Sequence, residues 1–456
     1  MNEPKLQEQK AQATQQSAEY KSESKERKDI STLLSKFGGF LAVKSFIPAA
    51  DDMNPAKKAA KNIFLTESRF KEKREKLAKE LEGWIELLDS GKTTATEYAD
   101  ECKQKEAKYQ RLLNQGITIA LDATHDLETT YRTLDSFFQN ANTDKLYNLK
   151  LINVNKDYIK ESDFSDEIDH LLKNAYDRLS LKDSYSLMVI PGNIFEKSDI
   201  RRAWAQIAFK YKVLLISDCA DDTSFEDMQN NTQKLRDSDQ ELQNMVMAAN
   251  WIVGRESEKL SDFEKDDPAF YIPPSGALAG KLYDESANMA QGAAGKTYGT
   301  LNRVKGVRND LLKSEIAALM DNQVIPMVFS EGRVMAFNNT TLYNGDNVAM
   351  KEYPIVRVFD WIKKALLQYV NNEALKNWDS IKSPANIKKQ IQDFLRPYQG
   401  YGKLFKEYTI KDPKQDPISK QITIDISITP YFAAKNFIVK MTANEGGEKN
   451  VDIKEE

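Results

Sequence analysis

The hydrophobic pattern is sharpest near the C-terminal end of the chain. Ile422, Ile424, Ile426 and Ile428 alternate with Thr423, Asp425, Ser427 and Thr429. That period of two marks a half-buried β-strand. Pro430 interrupts it, and a second β-prone stretch comes next with Phe437, Val439 and Met441 on one side. A strand pair of this kind needs a sheet to join. It is either the closing edge of the subunit's own sheet or an arm that completes a neighbour's.

Upstream the pattern is helical first. Phe70, Leu77, Leu81, Trp84 and Leu88 form a stripe at helical spacing that Gly91 ends. A second helix runs through Tyr98, Cys102, Tyr109 and Leu113, and a third spans about 117–138 with Leu121, Tyr131, Leu134 and Phe138. From about residue 147 the period changes. Leu149–Val154, Leu187–Ile190, Val213–Ser217 and Trp251–Val253 read as short strands, with helices between them at 165–181, 200–211 and 225–248. Alternation of this length predicts βαβ units and a largely parallel sheet. The Gly- and Pro-rich residues 268–306 read as ordered loop, with a helix at 308–320 and a strand at 324–329 after it. An amphipathic helix covers Val356–Val370. Another opens at Ser383–Pro384, buries Ile387, Ile391, Phe394 and Leu395, and stops at Arg396–Pro397.

Four regions result: an N-terminal arm (1–50), a helical region (51–145), an α/β domain with a Gly/Pro-rich loop (146–325), and a C-terminal domain ending in the strand pair and a charged tail (326–456). The fold class is α/β, or α+β over the whole chain, with a central mixed or parallel sheet flanked by helices. Within the arm, the first 35 or so residues carry almost no large apolar side chains and read as disordered. The short apolar island beyond them, with Phe37, Phe40, Leu41 and Phe46, is suited to docking on its own domain or on a partner.

Composition narrows the classes. Of 456 residues, 41% are hydrophobic and 29% charged, and the net charge is −4. There is no basic stripe for nucleic acid. No apolar run approaches the ~20 residues of a membrane span, so direct membrane insertion is not expected. Two cysteines, Cys102 and Cys219, offer no disulfide framework and fit a reducing cytoplasm. Two histidines leave little for metal or acid–base chemistry.

One catalytic motif needs weighing. Ala290–Thr297 (AQGAAGKT) matches a relaxed phosphate-binding loop, with Gly295, Lys296 and Thr297 as its working end. Such a loop needs a buried strand before it and a helix after it. Here KLYDESANM precedes it, and Gly299 and Gly306 interrupt the segment that should be the helix. A structural loop of small residues is the favoured reading. Asp218, Asp221 and Asp222 cluster after a predicted strand. They read as helix-leading acids rather than Mg²⁺ ligands. No catalytic residue, cofactor or metal is expected.

The order of segments in the last third resembles contractile tail-sheath proteins. Tyr271–Gly280 (YIPPSGALAG) is similar to their "PPSG…AG" segment, and Val304–Val307 (VKGV) to the short motif after it. The Ser330–Arg333 turn, the VRVFDWIKKALLQYV helix, the SPANIKKQIQDFL helix and the strands around Ile428–Pro430 continue in the same order. The long charged helical front half resembles the large sheath subunit of bacterial type VI secretion systems (TssC-type), particularly the Bacteroidetes form.

The resemblance implies a structural subunit, not an enzyme. It would polymerise with itself and with a small sheath subunit (TssB-type) around an inner tube (Hcp-type) on a baseplate, contract, and be recycled by an AAA+ unfoldase (ClpV-type). It also implies strand exchange between subunits through Ile422, Ile424, Ile426, Ile428, Phe437 and Val439. A phage-like tail sheath is the alternative, and a nucleotide-binding loop protein a more distant one.

Overall fold

The computed structural model describes residues 63–92, 94–146, 148–181, 184–259, 266–267, 269–283, 289–373, 382–416, 418–419, 421–433, 441–442 and 450–451. The docking residues Phe37, Phe40, Leu41 and Phe46, and Phe437 and Val439 of the second β-prone stretch, lie outside them. The chain divides into two compact units at Ala120/Leu121.

In the first unit, helix α1 (Lys71–Leu88) buries Arg74, Leu77, Leu81 and Leu87. Arg74 is held because its guanidinium donates to Phe64 O at 2.9 Å and Glu67 O at 2.7 Å. Trp84, expected in the buried stripe, is 54% exposed. The predicted second and third helices are one, α2 (Ala95–Asn140). Gly116 sits inside it with open space where a Cβ would be. A helix-interior glycine costs only about 1 kcal/mol relative to alanine, too little to end a helix this long.

The second unit is built on a five-stranded sheet. Its strands are β1 (Leu187–Val189), β2 (Leu214–Asp218), β3 (Met245–Ala249), β6 (Ile325–Ser330) and β7 (Arg333–Ala336), in that spatial order. The pairs β1/β2, β2/β3 and β3/β6 are parallel, and β6/β7 is an antiparallel hairpin through Glu331 and Gly332. Between β3 and β6 the chain makes a separate antiparallel pair, β4 (Ile252–Arg255) with β5 (Phe270–Ile272).

Alternation along the central strands sorts their side chains into two cores. Leu215, Met245, Met247 and Ala249 face one core. There they meet α3 (Ser162–Tyr176), α4 (Ser198–Lys210), α5 (Phe225–Thr232) and α8 (Lys313–Asp321) through Ile168, Trp204, Met228 and Leu319. Leu214, Ile216, Val246, Ala248, Ile325 and Met327 face the other, against Phe137 of α2 and Ala277, Leu278 and Ala279 of α6 (Ser275–Lys281). A sheet covered on both faces reads as continuous apolar runs, which is why VLLIS is conspicuous in the sequence.

Three expectations fail here for identifiable reasons. Met245–Ala249, predicted as the end of a helix over 225–248, is a fully buried central strand. The helix preference of Met and Ala is worth a few tenths of a kcal/mol per residue and yields to burial on both faces. Leu149–Val154, predicted as a strand, pairs with nothing among the described residues, and Leu149, Leu151 and Ile152 stand exposed. Residues 275–281, predicted as loop, are helical.

Helix α6 exists because two glycines let it touch α2. A Cβ at Gly276 would lie 2.4 Å from Thr133 O, and one at Gly280 would lie 2.3 Å from Phe137 O. Both pairs are spaced (i, i+4), so the backbones run in contact over a full turn. This contact also decides which face of α2 is buried: Thr133, Ser136, Phe137 and Asn140, rather than the expected Tyr131 and Phe138, which are exposed.

The C-terminal part begins with α9 (Tyr353–Glu373) and α10 (Lys382–Leu395). It continues in an antiparallel pair, β8 (Phe405–Ile410) with β11 (Ile426–Pro430), extended by the short pair β9 (Lys414–Gln415) and β10 (Ile422–Thr423), and a last two-residue antiparallel pair joins Met441–Thr442 to Asn450–Val451.

Candidate assembly site

The alternating isoleucines are placed as a half-buried strand. Ile426 lies opposite Ile410, and Ile428 opposite Tyr408, in a ladder within the same chain. Ile424, Ile426 and Ile428 pack on a core of their own, made by Val358 and Ile362 of α9, Ile391 and Leu395 of α10, and Phe405 and Ile410 of β8. Ile422, beyond the main ladder, is 39% exposed. The outward positions Ser427 and Thr429 are exposed, with Glu407 and Thr409 across from them.

Strand β8 carries residues that the sequence pattern concealed. Phe405 is fully buried, Ile410 is buried and Tyr408 half-buried, while Lys406 and Glu407 are both exposed. Two successive outward residues mark a bulge, and the register does shift between Phe405 and Glu407. The bulge lets Phe405 and Tyr408 face the same core although they are three residues apart. It also breaks the period of two that would have announced the strand. The far end of the ladder turns at Asp416, whose Oδ1 accepts from the backbone of Ile418 and Ser419.

Among the described residues the strands β8 and β11 form a two-stranded ladder, and beyond it β8 has only an isolated parallel bridge from Phe405 to Gln399, so the rest of each outer edge is unpaired. A two-stranded sheet is a marginal structure alone. This one is stabilised by its inner face, and its edges are open templates for further strands.

The other sequence candidates are structural. Gly295–Tyr298 forms one short helical turn, α7, and the described element before it is helix α6, not a strand. Lys296 is exposed and pairs with Glu331 at 2.5 Å. The small residues of this loop serve close packing. A Cβ at Gly292 would meet Pro354 at 2.6 Å, one at Gly299 would meet Ala336 O at 2.5 Å, and Ala293 N donates to the buried Tyr353 hydroxyl at 2.9 Å. The phosphate-loop reading is therefore not supported.

Asp218, at the C-terminal end of β2, is fully buried and accepts from Gly192 N (2.8 Å), Ser275 N (2.7 Å) and Ser275 Oγ (2.6 Å). It staples the loop after β1 and the start of α6 to the sheet. Asp221 instead meets Arg308 at 3.5 Å, and Asp222 accepts from Asn231 at 2.9 Å. Among the described residues no acid, His or Cys cluster could hold a metal. Cys219 is buried, and desolvation pushes its thiol well above the usual range. Cys102 is exposed, not on a buried helix face.

Burial pushes the Asp218 carboxyl up to about 7, against the pull of Ser275 and Gly192. A carboxyl raised in the folded state binds its proton more tightly there than in the unfolded chain. Its contribution to stability is greatest below about pH 4 and is lost as pH rises to about 7. Thermal melts across that window should show Asp218→Asn lacking a downward slope, on the order of a few kcal/mol in total, that the wild type has.

Three family models match the chain in order. The TssC/VipB-like N-terminal region matches residues 27–117, the type VI secretion system TssC/VipB central domain 119–344, and the TssC/VipB-like C-terminal domain 352–455. The chain belongs to the TssC/VipB family. It is a structural subunit of a type VI contractile sheath.

Solved structures are similar to this TssC/VipB chain at low identity. A chain of the anti-feeding prophage (AFP) baseplate aligns at 15% identity, covering 69% of the TssC/VipB chain and 80% of its own length, with a TM-score of 0.46. A chain of the PVC sheath complex of an extracellular contractile injection system, in the contracted state, aligns at 12% identity, 69% and 80% coverage and a TM-score of 0.45. A sheath tail protein from Desulfitobacterium hafniense gives 10%, 62%, 61% and 0.37. No curated protein matches the chain. Among its described residues no helix is long and apolar enough to cross a membrane.

Proposed function

We propose that this TssC/VipB subunit works in the cytoplasm, polymerising with a small TssB-type subunit around an Hcp-type tube on a baseplate. The sheath then contracts to drive the tube outward, and a ClpV-type unfoldase recycles it. The work is mechanical and not enzymatic. Neighbouring subunits are laced at the β8/β11 sheet, with the Ile422–Ile428 strand in the ladder and the Phe437–Val439 stretch and the N-terminal apolar island (Phe37, Phe40, Leu41, Phe46) reaching to partners.

The observation that supports this is the small sheet with two largely unpaired edges on a well-packed inner face. Strand addition at such an edge draws its affinity from main-chain hydrogen bonds and its register from alternating side chains. An added strand making about five hydrogen bonds at ~1 kcal/mol net each would hold subunits together while their globular parts move.

The test is expression of this chain with and without its small partner, followed by electron microscopy. Long sheaths are expected only from the pair. Homopolymers formed by this chain alone would instead favour a phage-like sheath.

A further inference from the structure

The C-terminal end of the sheet, where open α/β sheets usually bind ligands, is plugged by the hydrogen bonds around Asp218. A cavity lies at the opposite end. It has a volume of about 540 Å³ and is walled by the start of β2, the residues after α6, and α9. Lys212, Arg357 and Lys364 line it together with one carboxylate, Asp360. The rest of the wall is mostly apolar or aromatic, including Leu214 and Trp361.

Among the described lining residues, three cations meet one carboxylate. Asp360 accepts from Asn244 Nδ2 at 2.6 Å, and Lys364 donates to Tyr185 O at 2.7 Å. Lys212 is buried, with its ammonium 3.7 Å from the centre of the Phe209 ring. Among the described residues none of the three cations forms an ion pair with a carboxylate, and Lys212 and Arg357 have no side-chain hydrogen bond. Asp360 is a nearby counter-charge for both Lys212 and Lys364, which leaves the cluster with excess positive charge in a partly desolvated place, a costly arrangement that structures normally compensate. Desolvation pulls all three below their usual values, Lys364 to about 8.

We propose that this cavity is an anion site for a small organic ligand bearing two or three phosphate or carboxylate charges, held by Lys212, Arg357 and Lys364. Its volume lies within the roughly 300–1,000 Å³ of small-molecule sites, and a few polar groups set in an apolar wall are the usual construction of such a site. The bound anion would tie α9 to the edge of the sheet.

Calorimetric titration of the full chain with pyrophosphate and with citrate tests this and separates the two chemistries. Saturable one-to-one binding of either probe is expected. Lys212→Met and Lys364→Met should each weaken it about 10- to 100-fold, the effect of losing one charge-assisted contact. Lys296→Met, at an exposed pair away from the cavity, should leave it unchanged. Pyrophosphate binding alone assigns a phosphorylated ligand, and citrate binding alone a polycarboxylate. Both variants keep an apolar stem in the wall, and circular dichroism reports whether they fold. No saturable binding of either probe at millimolar concentration overturns the proposal. So does binding that the Lys212 and Lys364 variants leave intact or that Lys296→Met weakens equally.

Discussion

Gly280→Ala should destabilise the protein, although alanine is the better helix former. On an open helix surface the exchange gains roughly 0.5–1 kcal/mol. At Gly280 the new Cβ would sit 2.3 Å from Phe137 O and 3.0 Å from Asn140 Cβ. Backbone oxygen cannot swing aside as the end of a side chain can, so α6 must move off α2. Overpacking of this kind costs about 1–3 kcal/mol and more for larger residues. Gly280→Leu is therefore expected to leave little folded protein. The control lies in the same chain. Gly83 and Gly116 are helical, with nothing within 4 Å of the added Cβ, and Gly116→Ala should raise the melting temperature. Urea melts of Gly280→Ala and Gly116→Ala should shift in opposite directions, and a shift in the same direction would refute the α2–α6 contact.

Ile426→Asp should leave the α/β domain folded and abolish long sheaths. Ile426 sits opposite Ile410 and faces the core of α9 and α10. A carboxylate there has no cation in the surrounding apolar set. Its desolvation, added to the lost isoleucine burial of about 1.5–3 kcal/mol, exceeds what a two-stranded ladder can supply. The main cores share no strand with this pair, so far-ultraviolet circular dichroism should change little. Ser427→Asp, on the exposed face of the same strand, separates a charge effect from a packing effect and should assemble normally. Electron micrographs showing wild-type sheath lengths for Ile426→Asp would remove the assembly role from this strand.

The isoleucine alternation was legible because nothing else in a protein produces a strict period of two. The βαβ order was legible for the same reason that VLLIS stood out. Phe405–Ile410 was not, because one bulged residue at Lys406 destroys the period it would otherwise show. Met245–Ala249 was hidden by composition, since its residues favour helix and only burial on both faces makes them a strand. The buried face of α2 was hidden by its polarity. Thr133, Ser136 and Asn140 face inward because Gly276 and Gly280 bring a backbone against them, and Asn140 donates to Ser136 O while accepting from Asn302 N. In the candidate site, the inward face could be read locally. Its partner strand and its separate core could not, since both come from segments distant in sequence.

Helix α9 belongs to two cores at once. Tyr353, at its start, is part of the α/β interior, while Val358 and Ile362, further along, belong to the core beneath β8 and β11. At 1.5 Å per residue its 21 residues make a rod about 30 Å long. Asp360 and Lys364 pin that rod sideways to Asn244 and Tyr185. A tug on the terminal sheet would travel along this rod into the α/β interior without stretching a loop. If neighbours are laced at the β8/β11 edge as proposed, a displacement there would act on the body as through a lever.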